Sequence, residues 1–147
     1  MIDPQLTGKT VLITGANHGI GAATARAMAV QGANVFVLYY REPTTYSEEE
    51  LALAKDEAVG GDRLYRAYQQ QTADGVVQKI RTAGGAAAAM EADLDDPINV
   101  PRLFDACEAK FGPVDVLINN HTVCILETFD PSLTSDDDPG ISLPSAE

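Results

Sequence analysis

The sequence is poor in basic residues and in cysteine, and it contains no tryptophan. Only ten lysines and arginines stand against 22 acidic residues, which gives a formal net charge of −12 for 147 residues. A field of that sign repels phosphate backbones and anionic lipid headgroups. We therefore expect neither nucleic acid nor a membrane surface as a partner.

Long apolar runs and leader-like segments are also missing. No stretch approaches the length of a membrane span, and the N-terminus has no basic patch. The two cysteines, Cys107 and Cys124, have neither CxxC spacing nor a histidine cluster nearby, so we expect two reduced, packed thiols and no metal site. With 45% apolar residues, a chain of this length suits one compact domain. These features predict a soluble, cytoplasmic protein.

Strand and helix patterns alternate along the chain. Apolar runs rich in β-branched residues predict strands at 10–14, 33–40, 86–90 and 114–118. Helical periodicity with end signals predicts helices at 19–31, at 97–110 and after an N-cap at Thr72. The alternation is typical of a parallel sheet covered on both faces. We predict an α/β fold, a doubly wound parallel Rossmann-like sheet, with these four strands as the first of a larger sheet.

The most informative segment is residues 14–21, Thr-Gly-Ala-Asn-His-Gly-Ile-Gly, between the first strand and the first helix. Gly15, Gly19 and Gly21 let the backbone turn sharply and let a phosphate approach main-chain N–H groups, Ile20 among them. The dipole of the following helix favours negative charge at the same place. The segment therefore predicts a site for the pyrophosphate of a dinucleotide.

Three motifs together resemble the N-terminal half of the short-chain dehydrogenase/reductase family. They are the glycine segment, the pair Asp93-Leu94 after the third strand, and the pair Asn119-Asn120 at the end of the fourth strand. The resemblance covers about residues 6–129. It implies that Asp93 and Leu94 lie at the adenine ring, and that Asn119 and Asn120 hold main chain and ribose at the carboxyl end of the fourth strand.

Two departures from the family pattern matter. His121-Thr122 replaces the family's Ala-Gly, which implies a histidine near the nicotinamide ribose, as a cofactor-binding candidate and not a catalytic one. The family's chemistry uses a Ser and a Tyr-x-x-x-Lys pair, yet no tyrosine here is followed by lysine four positions later. We expect no catalytic residue in this chain. It is predicted to be the first half of a longer enzyme, a dinucleotide-binding part at 1–129 followed by an acidic loop at 130–147 that continues into a catalytic half.

The end of the second strand bears on the choice of cofactor. The resemblance implies that the position where a carboxylate would select NAD falls near Tyr40, and Arg41 offers a planar fork to a 2′-phosphate. Asn17 and His18 are neighbouring donors, so we favour NADP and keep NAD as the alternative. NAD would be favoured if Glu42 turned inward to the ribose, and Arg41 has an alternative role in a surface salt bridge.

About thirty residues separate the second strand from Thr72, more than a normal connection. Ser47 and Glu50 form a capping-box signature, which predicts a helix at 48–58 stopped by the glycine pair 60–61. Another helical piece is expected at 62–71. The insertion, 42–71, is interpreted as a solvated surface excursion, with a flap beside the adenosine pocket or a subunit contact as alternatives.

The resemblance implies an NADP-dependent oxidoreductase that interconverts a small-molecule carbonyl and an alcohol by hydride transfer. The family often forms dimers or tetramers, so a homo-oligomer is possible on the same basis. The alternative hypothesis is a module that binds NADP(H) without catalysis, as a sensor or a regulatory subunit. A sugar-nucleotide epimerase or dehydratase is a weaker third option, because those relatives usually space their glycines differently.

Overall fold

The fold is known from a computed structural model that describes residues 3–58 and 60–122. Strands and helices alternate in it, apart from an insertion of two helices after the second strand. In chain order the elements are β1 (Thr10–Thr14), α1 (Gly19–Val30), β2 (Asn34–Tyr39), α2 (Glu48–Glu57), α3 (Asp62–Gln69), α4 (Asp74–Thr82), β3 (Ala86–Glu91), α5 (Asn99–Phe111) and β4 (Val116–Ile118).

The four strands form one parallel sheet in the order β3-β2-β1-β4. The register pairs Thr14 with Leu38 and Tyr39 with Glu91, so the carboxyl ends of the strands lie along one edge. The chain leaves β1 toward β2 on one side and returns to β4 on the other. Ligands of doubly wound sheets bind beside such a switch point. The predicted fold class is confirmed.

Helices cover both faces of the sheet. Val11 and Ile13 of β1 belong to a core cluster with residues of α1 and α4, whereas Leu12 between them packs with Leu103 and Cys107 of α5. Successive strand side chains point to opposite faces, and β1 and β2 are buried on both of them. Each fully buried aliphatic side chain contributes about 1.5–3 kcal/mol, which explains why the strands are almost continuously apolar.

The insertion has a small core of its own. Leu51 and Ala54 of α2 pack with the fully buried Ala67 of α3. The predicted capping box is present, since Ser47 Oγ accepts from Glu50 N at 3.2 Å and Glu50 Oε2 accepts from Ser47 N at 2.8 Å. These contacts make α2 and α3 a folded unit, not an irregular loop.

Some predicted element ends are wrong. Helix α4 has Ala73 as its N-cap instead of Thr72. Thr72 Oγ1 donates to Asp74 Oδ2 at 2.9 Å and accepts from Asp74 N at 3.4 Å, so its hydroxyl closes a turn before the helix begins. Helix α2 ends at Glu57, where Ala58 takes the left-handed conformation (φ 52°), and so ends before the glycine pair.

The predicted starts of α5 and β4 are wrong by two residues. Helix α5 begins at Asn99 with Ile98 as N-cap, so Pro97 lies outside it. Strand β4 begins at Val116, and Asp115 just before it bonds to the start of β1 through its main-chain N–H and its side chain. Its carboxylate accepts from Thr10 N and from Lys9 Nζ, each at 2.8 Å.

Within the ranges that the structure describes, no helix combines the length and the apolar character needed to cross a bilayer. The predicted acidic loop at 130–147 and the predicted packing of Cys124 fall outside those ranges.

Candidate dinucleotide-binding site

The three glycines of the β1–α1 turn meet different steric demands. Gly15 and Gly19 have left-handed backbones, with φ of 62° and 55°. A Cβ on Gly21 would lie 2.4 Å from the carbonyl oxygen of Gly15, and one on Gly15 would lie 3.0 Å from Cα of His121. A Cβ on Gly19 would meet nothing within 4 Å. Gly15 and Gly21 therefore allow close internal packing, while Gly19 faces open space.

The N-terminus of α1 lacks a side-chain cap. His18 is the N-cap residue but makes no capping hydrogen bond, and the first turn contains no acidic residue. The first N–H groups of a helix have no partner within the helix. The main-chain N–H of Ile20 belongs to this group, and the residue is 79% exposed. An uncapped helix N-terminus beside an open glycine fits an anion such as a pyrophosphate.

Thr14 joins the ends of β1 and β4. Its buried hydroxyl accepts from the main-chain N–H of Asn120 at 3.1 Å and lies 2.7 Å from Nδ1 of His121. The side chain of Asn120 donates to the carbonyl of Gly15 at 2.8 Å. Asn119, just before, is exposed at the carboxyl end of β4. Asn120 of the predicted pair thus lies against the glycine turn, and His121 is held there by Thr14.

Asp93 and Leu94 follow β3 at the same edge of the sheet. The Asp93 carboxylate accepts from Asp95 N at 3.0 Å, and Leu94 packs against the core cluster that contains Leu12. Partial burial, together with the nearby Asp93 carboxylate, raises the pKa of Tyr40. The Asp93 carboxylate therefore lies close enough to the Tyr40 hydroxyl to affect its ionisation.

Arg41 forms a two-point ion pair with Glu91, the last residue of β3. Nε lies 2.8 Å from Oε1 and Nη2 lies 2.9 Å from Oε2. The hydrogen bonds from Arg41 lower the pKa of Glu91. The salt bridge considered as the alternative role of Arg41 is thus present, and a 2′-phosphate would have to compete with Glu91 for the guanidinium.

Glu42 turns toward α3. Arg66 Nη1 lies 2.5 Å from Glu42 Oε2, and Gln69 Nε2 lies 3.3 Å from the same oxygen. The side-chain amide of Gln70 donates to the carbonyl oxygen of Glu42. The hydrogen bonds from Arg66 and Gln69 lower the pKa of Glu42.

The predicted donors Asn17 and His18 also contact the insertion. Asn17 is 6% exposed, and its amide donates to the main-chain oxygens of Gln69 and Gln71 at 3.0 and 2.8 Å. The His18 ring meets the edge of the Tyr65 ring with centroids 5.5 Å apart, and burial lowers the pKa of His18. The Asn17 amide therefore holds the glycine turn against the insertion, and its hydrogen bonds are already made to main-chain oxygens.

A cavity of about 540 Å³ lies beside these two residues. It runs between α1 and α4 and includes Arg26 from the former and Lys79 from the latter. Among the residues that the structure describes, none of those lining this cavity is acidic. In a chain of net charge −12, this side of the turn is locally basic.

Sequence reasoning missed Thr14, Glu91 and Arg66. A threonine hydroxyl at the carboxyl end of a central strand is a usable signal, because the neighbouring strand ends beside it. The partners Glu91 and Arg66 are 50 and 24 residues from the groups they bind, and no local pattern marks either one.

Comparison with known proteins places this geometry in a family. A family model described as the KR domain matches residues 9–136. The chain belongs to the short-chain dehydrogenase/reductase family. One relative of this chain is 3beta-hydroxysteroid dehydrogenase 1 from Eggerthella lenta, which is 40% identical to it over 116 residues. Those residues are 79% of this chain but only 34% of that protein.

Solved structures of the family share its fold. A short-chain dehydrogenase/reductase from Serratia marcescens has a TM-score of 0.60 at 28% identity, over 90% of this chain and 42% of its own. A short-chain dehydrogenase from Burkholderia cenocepacia, solved in complex with NADP, has a TM-score of 0.57 at 31% identity, over 90% and 43%. This short-chain dehydrogenase/reductase chain thus spans less than half the length of each of these three relatives.

Proposed function

We propose that the full-length protein is an NADP(H)-dependent oxidoreductase that interconverts a carbonyl and an alcohol, and that this chain supplies the cofactor-binding part. The observation that carries the proposal is the uncapped N-terminus of α1 beside the open Gly19, at the switch point of a parallel sheet. The NADP complex of the Burkholderia cenocepacia relative supports the choice of ligand class.

The proposed roles follow the order of the elements. Main-chain N–H groups of the first turn of α1, Ile20 among them, would donate to the pyrophosphate. Asp93 would accept from the adenine amino group beside Leu94, while Asn119 and His121 would lie at the nicotinamide ribose. A bound nicotinamide supplies the hydride.

The proton of the reacting oxygen needs an acid/base group that this chain does not offer in the family's form. The residues four positions after its tyrosines are Pro43, Thr44, Glu50, Gln69 and Thr72. We place the Ser and the Tyr-Lys pair outside these 147 residues. The same observation favours the second candidate, an NADP(H)-binding module without catalysis.

The cytoplasmic location and the homo-oligomer stay predictions.

The choice of NADP over NAD is supported by Tyr40 and Glu42. Tyr40 puts no carboxylate at the discriminating position, and the Glu42 carboxylate is turned to Arg66. Arg41 remains the cation at the end of β2, although Glu91 holds it now. An exchange of Glu91 for a phosphate dianion keeps a two-point contact and increases the charge opposite Arg41.

The activity test uses the full-length protein with NADPH, or with NADH, and a panel of ketones, followed by loss of nicotinamide absorbance. We expect turnover with NADPH and at least one ketone. NADPH binding without turnover of any ketone or alcohol would favour the module without catalysis.

In Arg41→Ala the affinity for NADPH should fall about tenfold with little change for NADH, because one charged hydrogen-bonding partner is lost. Unchanged NADPH affinity would remove Arg41 from the site.

A further inference from the structure

Helix α3 of the insertion lies beside two segments of the candidate site, the glycine turn and the chain that follows β2. The Asn17 amide of the glycine turn donates to the carbonyl of Gln69, the last residue of α3, and to that of Gln71 just after the helix. Its Arg66 binds Glu42, two residues beyond Tyr40. The insertion therefore contacts both the glycine turn and the chain that follows β2.

Resting on the proposed function, we propose that Arg66 determines cofactor specificity by holding the Glu42 carboxylate away from the ribose 2′ position. Glu42 is the acidic residue nearest in sequence to the discriminating Tyr40. Glu42 lies two residues after Tyr40 in the segment that leaves β2, so a released Glu42 side chain is close to the place where a carboxylate selects NAD.

Glu42 is anchored at more than one point. Arg66 Nη1 and Gln69 Nε2 both bind its Oε2, and the Gln70 side chain binds its main-chain oxygen. Three side chains of one helix end thus fix both the direction of the carboxylate and the position of the backbone that carries it.

Arg66 is itself held in place by α3. Its Nη1 donates to Gln69 Oε1 at 2.9 Å, and its Nε lies 3.6 Å from Asp62 Oδ1. The next residue, Ala67, is fully buried against α2, which anchors the turn of helix that carries the guanidinium. The arginine is therefore presented by a packed element.

Charge explains why this pair matters for NADP and NAD differently. A free Glu42 carboxylate accepts a hydrogen bond from a ribose 2′-hydroxyl but repels a 2′-phosphate. Pairing with Arg66 neutralises that repulsion without removing the residue. Loss of Arg66 should then reduce the affinity for NADPH while that for NADH stays equal or rises.

The test is a fluorescence titration of the full-length protein with NADPH and with NADH. Arg66→Gln should lower the ratio of NADPH to NADH affinity about fivefold, the size expected for one partly exposed ion pair. Glu42→Gln breaks the same pair but removes the repelling carboxylate, so its ratio should stay within about twofold of wild type. The double variant Arg66→Gln/Glu42→Gln should recover the Glu42→Gln ratio.

Arg63→Gln is the matched control. It removes the same charge from the same helix, but its guanidinium lies over the Tyr46 ring, 5.5 Å from the centroid, and not on Glu42. Its ratio should equal that of wild type.

Three results would overturn the proposal with the proposed function intact. The first is an unchanged ratio of NADPH to NADH affinity in Arg66→Gln. The second is a ratio in the double variant as low as in Arg66→Gln, which would mean that Arg66 contacts the phosphate directly. The third is a ratio in Glu42→Gln as low as in Arg66→Gln, which would mean that the pair only holds α3 in place. Failure of the wild-type protein to bind either cofactor would overturn the proposed function and this proposal together.

Discussion

Gly21 lies where the first turn of α1 crosses the end of β1, and the space around it is set by backbone atoms. The nearest atoms to an added Cβ are the Gly15 oxygen at 2.4 Å, the Asn120 amide nitrogen at 2.6 Å and Ala16 Cα at 2.8 Å. Two of these three cannot move without shifting the glycine turn. The requirement for glycine is therefore steric and not conformational at this position.

Gly21→Ala should lower the free energy of unfolding by about 1–3 kcal/mol, the usual range for overpacking a tight contact. Urea unfolding of the variant and of wild type measures the difference. Gly75→Ala is the control, because Gly75 lies in the first turn of α4 with nothing within 4 Å of its Cβ position. It should be neutral or stabilising by up to about 1 kcal/mol. Equal stability of Gly21→Ala and wild type would contradict the packing described for the turn.

Cys107 shows how burial affects a thiol in this fold. It is fully buried in α5 against Leu12, and desolvation, with a smaller effect of Glu108, raises its pKa to about 11 from an ordinary value of 9.0. At pH 8 and below the thiol is mostly neutral in both the folded and the unfolded state. Between pH 9 and 11 the unfolded chain loses this proton first, so stability falls as the pH rises.

We expect this residue to remove on the order of 2 kcal/mol of stability by pH 11 relative to pH 8. The measurement compares the free energy of unfolding of wild type and Cys107→Ala from pH 8 to 11. The stability advantage of wild type should shrink over that interval, because alanine does not titrate. A constant difference across the interval would show that Cys107 is not desolvated.

At the scale of elements, local signals predicted most of the fold. Strand β1 has the predicted bounds, and β2, β3 and α1 differ from theirs by one residue at one or both ends, because continuous apolar runs and Gly32 (φ 87°) define them locally. The predicted starts of α4 and α5 are wrong because a residue that is typical of a helix start lies just before each true start. The hydroxyl of Thr72 closes a turn one residue ahead of the true cap, and Pro97 precedes α5 instead of opening it.

The capping box of α2 makes the insertion testable as an element. Ser47→Ala should lower the stability of the α2–α3 unit by about 1 kcal/mol, because Glu50 N loses its acceptor. Hydrogen exchange of amides in α2 and α3 measures the local effect. Ser47→Thr keeps a capping hydroxyl and should exchange like wild type. Exchange in Ser47→Ala that matches wild type would mean that the cap adds nothing to this helix.

At the scale of the whole molecule, the site depends on contacts between parts of the chain that are far apart in sequence. The family resemblance implied that the glycine turn, the end of β3 and the end of β4 serve one cofactor, and in the parallel sheet they do lie along one edge. The pairs Arg41–Glu91 and Arg66–Glu42 were not, since many oppositely charged residues in an acidic chain are equally plausible partners. Topology predicts which segments converge, but the pairing of side chains follows from their three-dimensional packing.

The central claim is that main-chain N–H groups at the start of α1 bind the cofactor's pyrophosphate. A crystal structure of the full-length protein with NADPH tests it most directly. We predict density for the pyrophosphate within hydrogen-bonding distance of the main-chain nitrogen of Ile20, with the adenine ring beside Asp93. Density for the cofactor at another place, or an empty glycine turn at saturating NADPH, would contradict the claim.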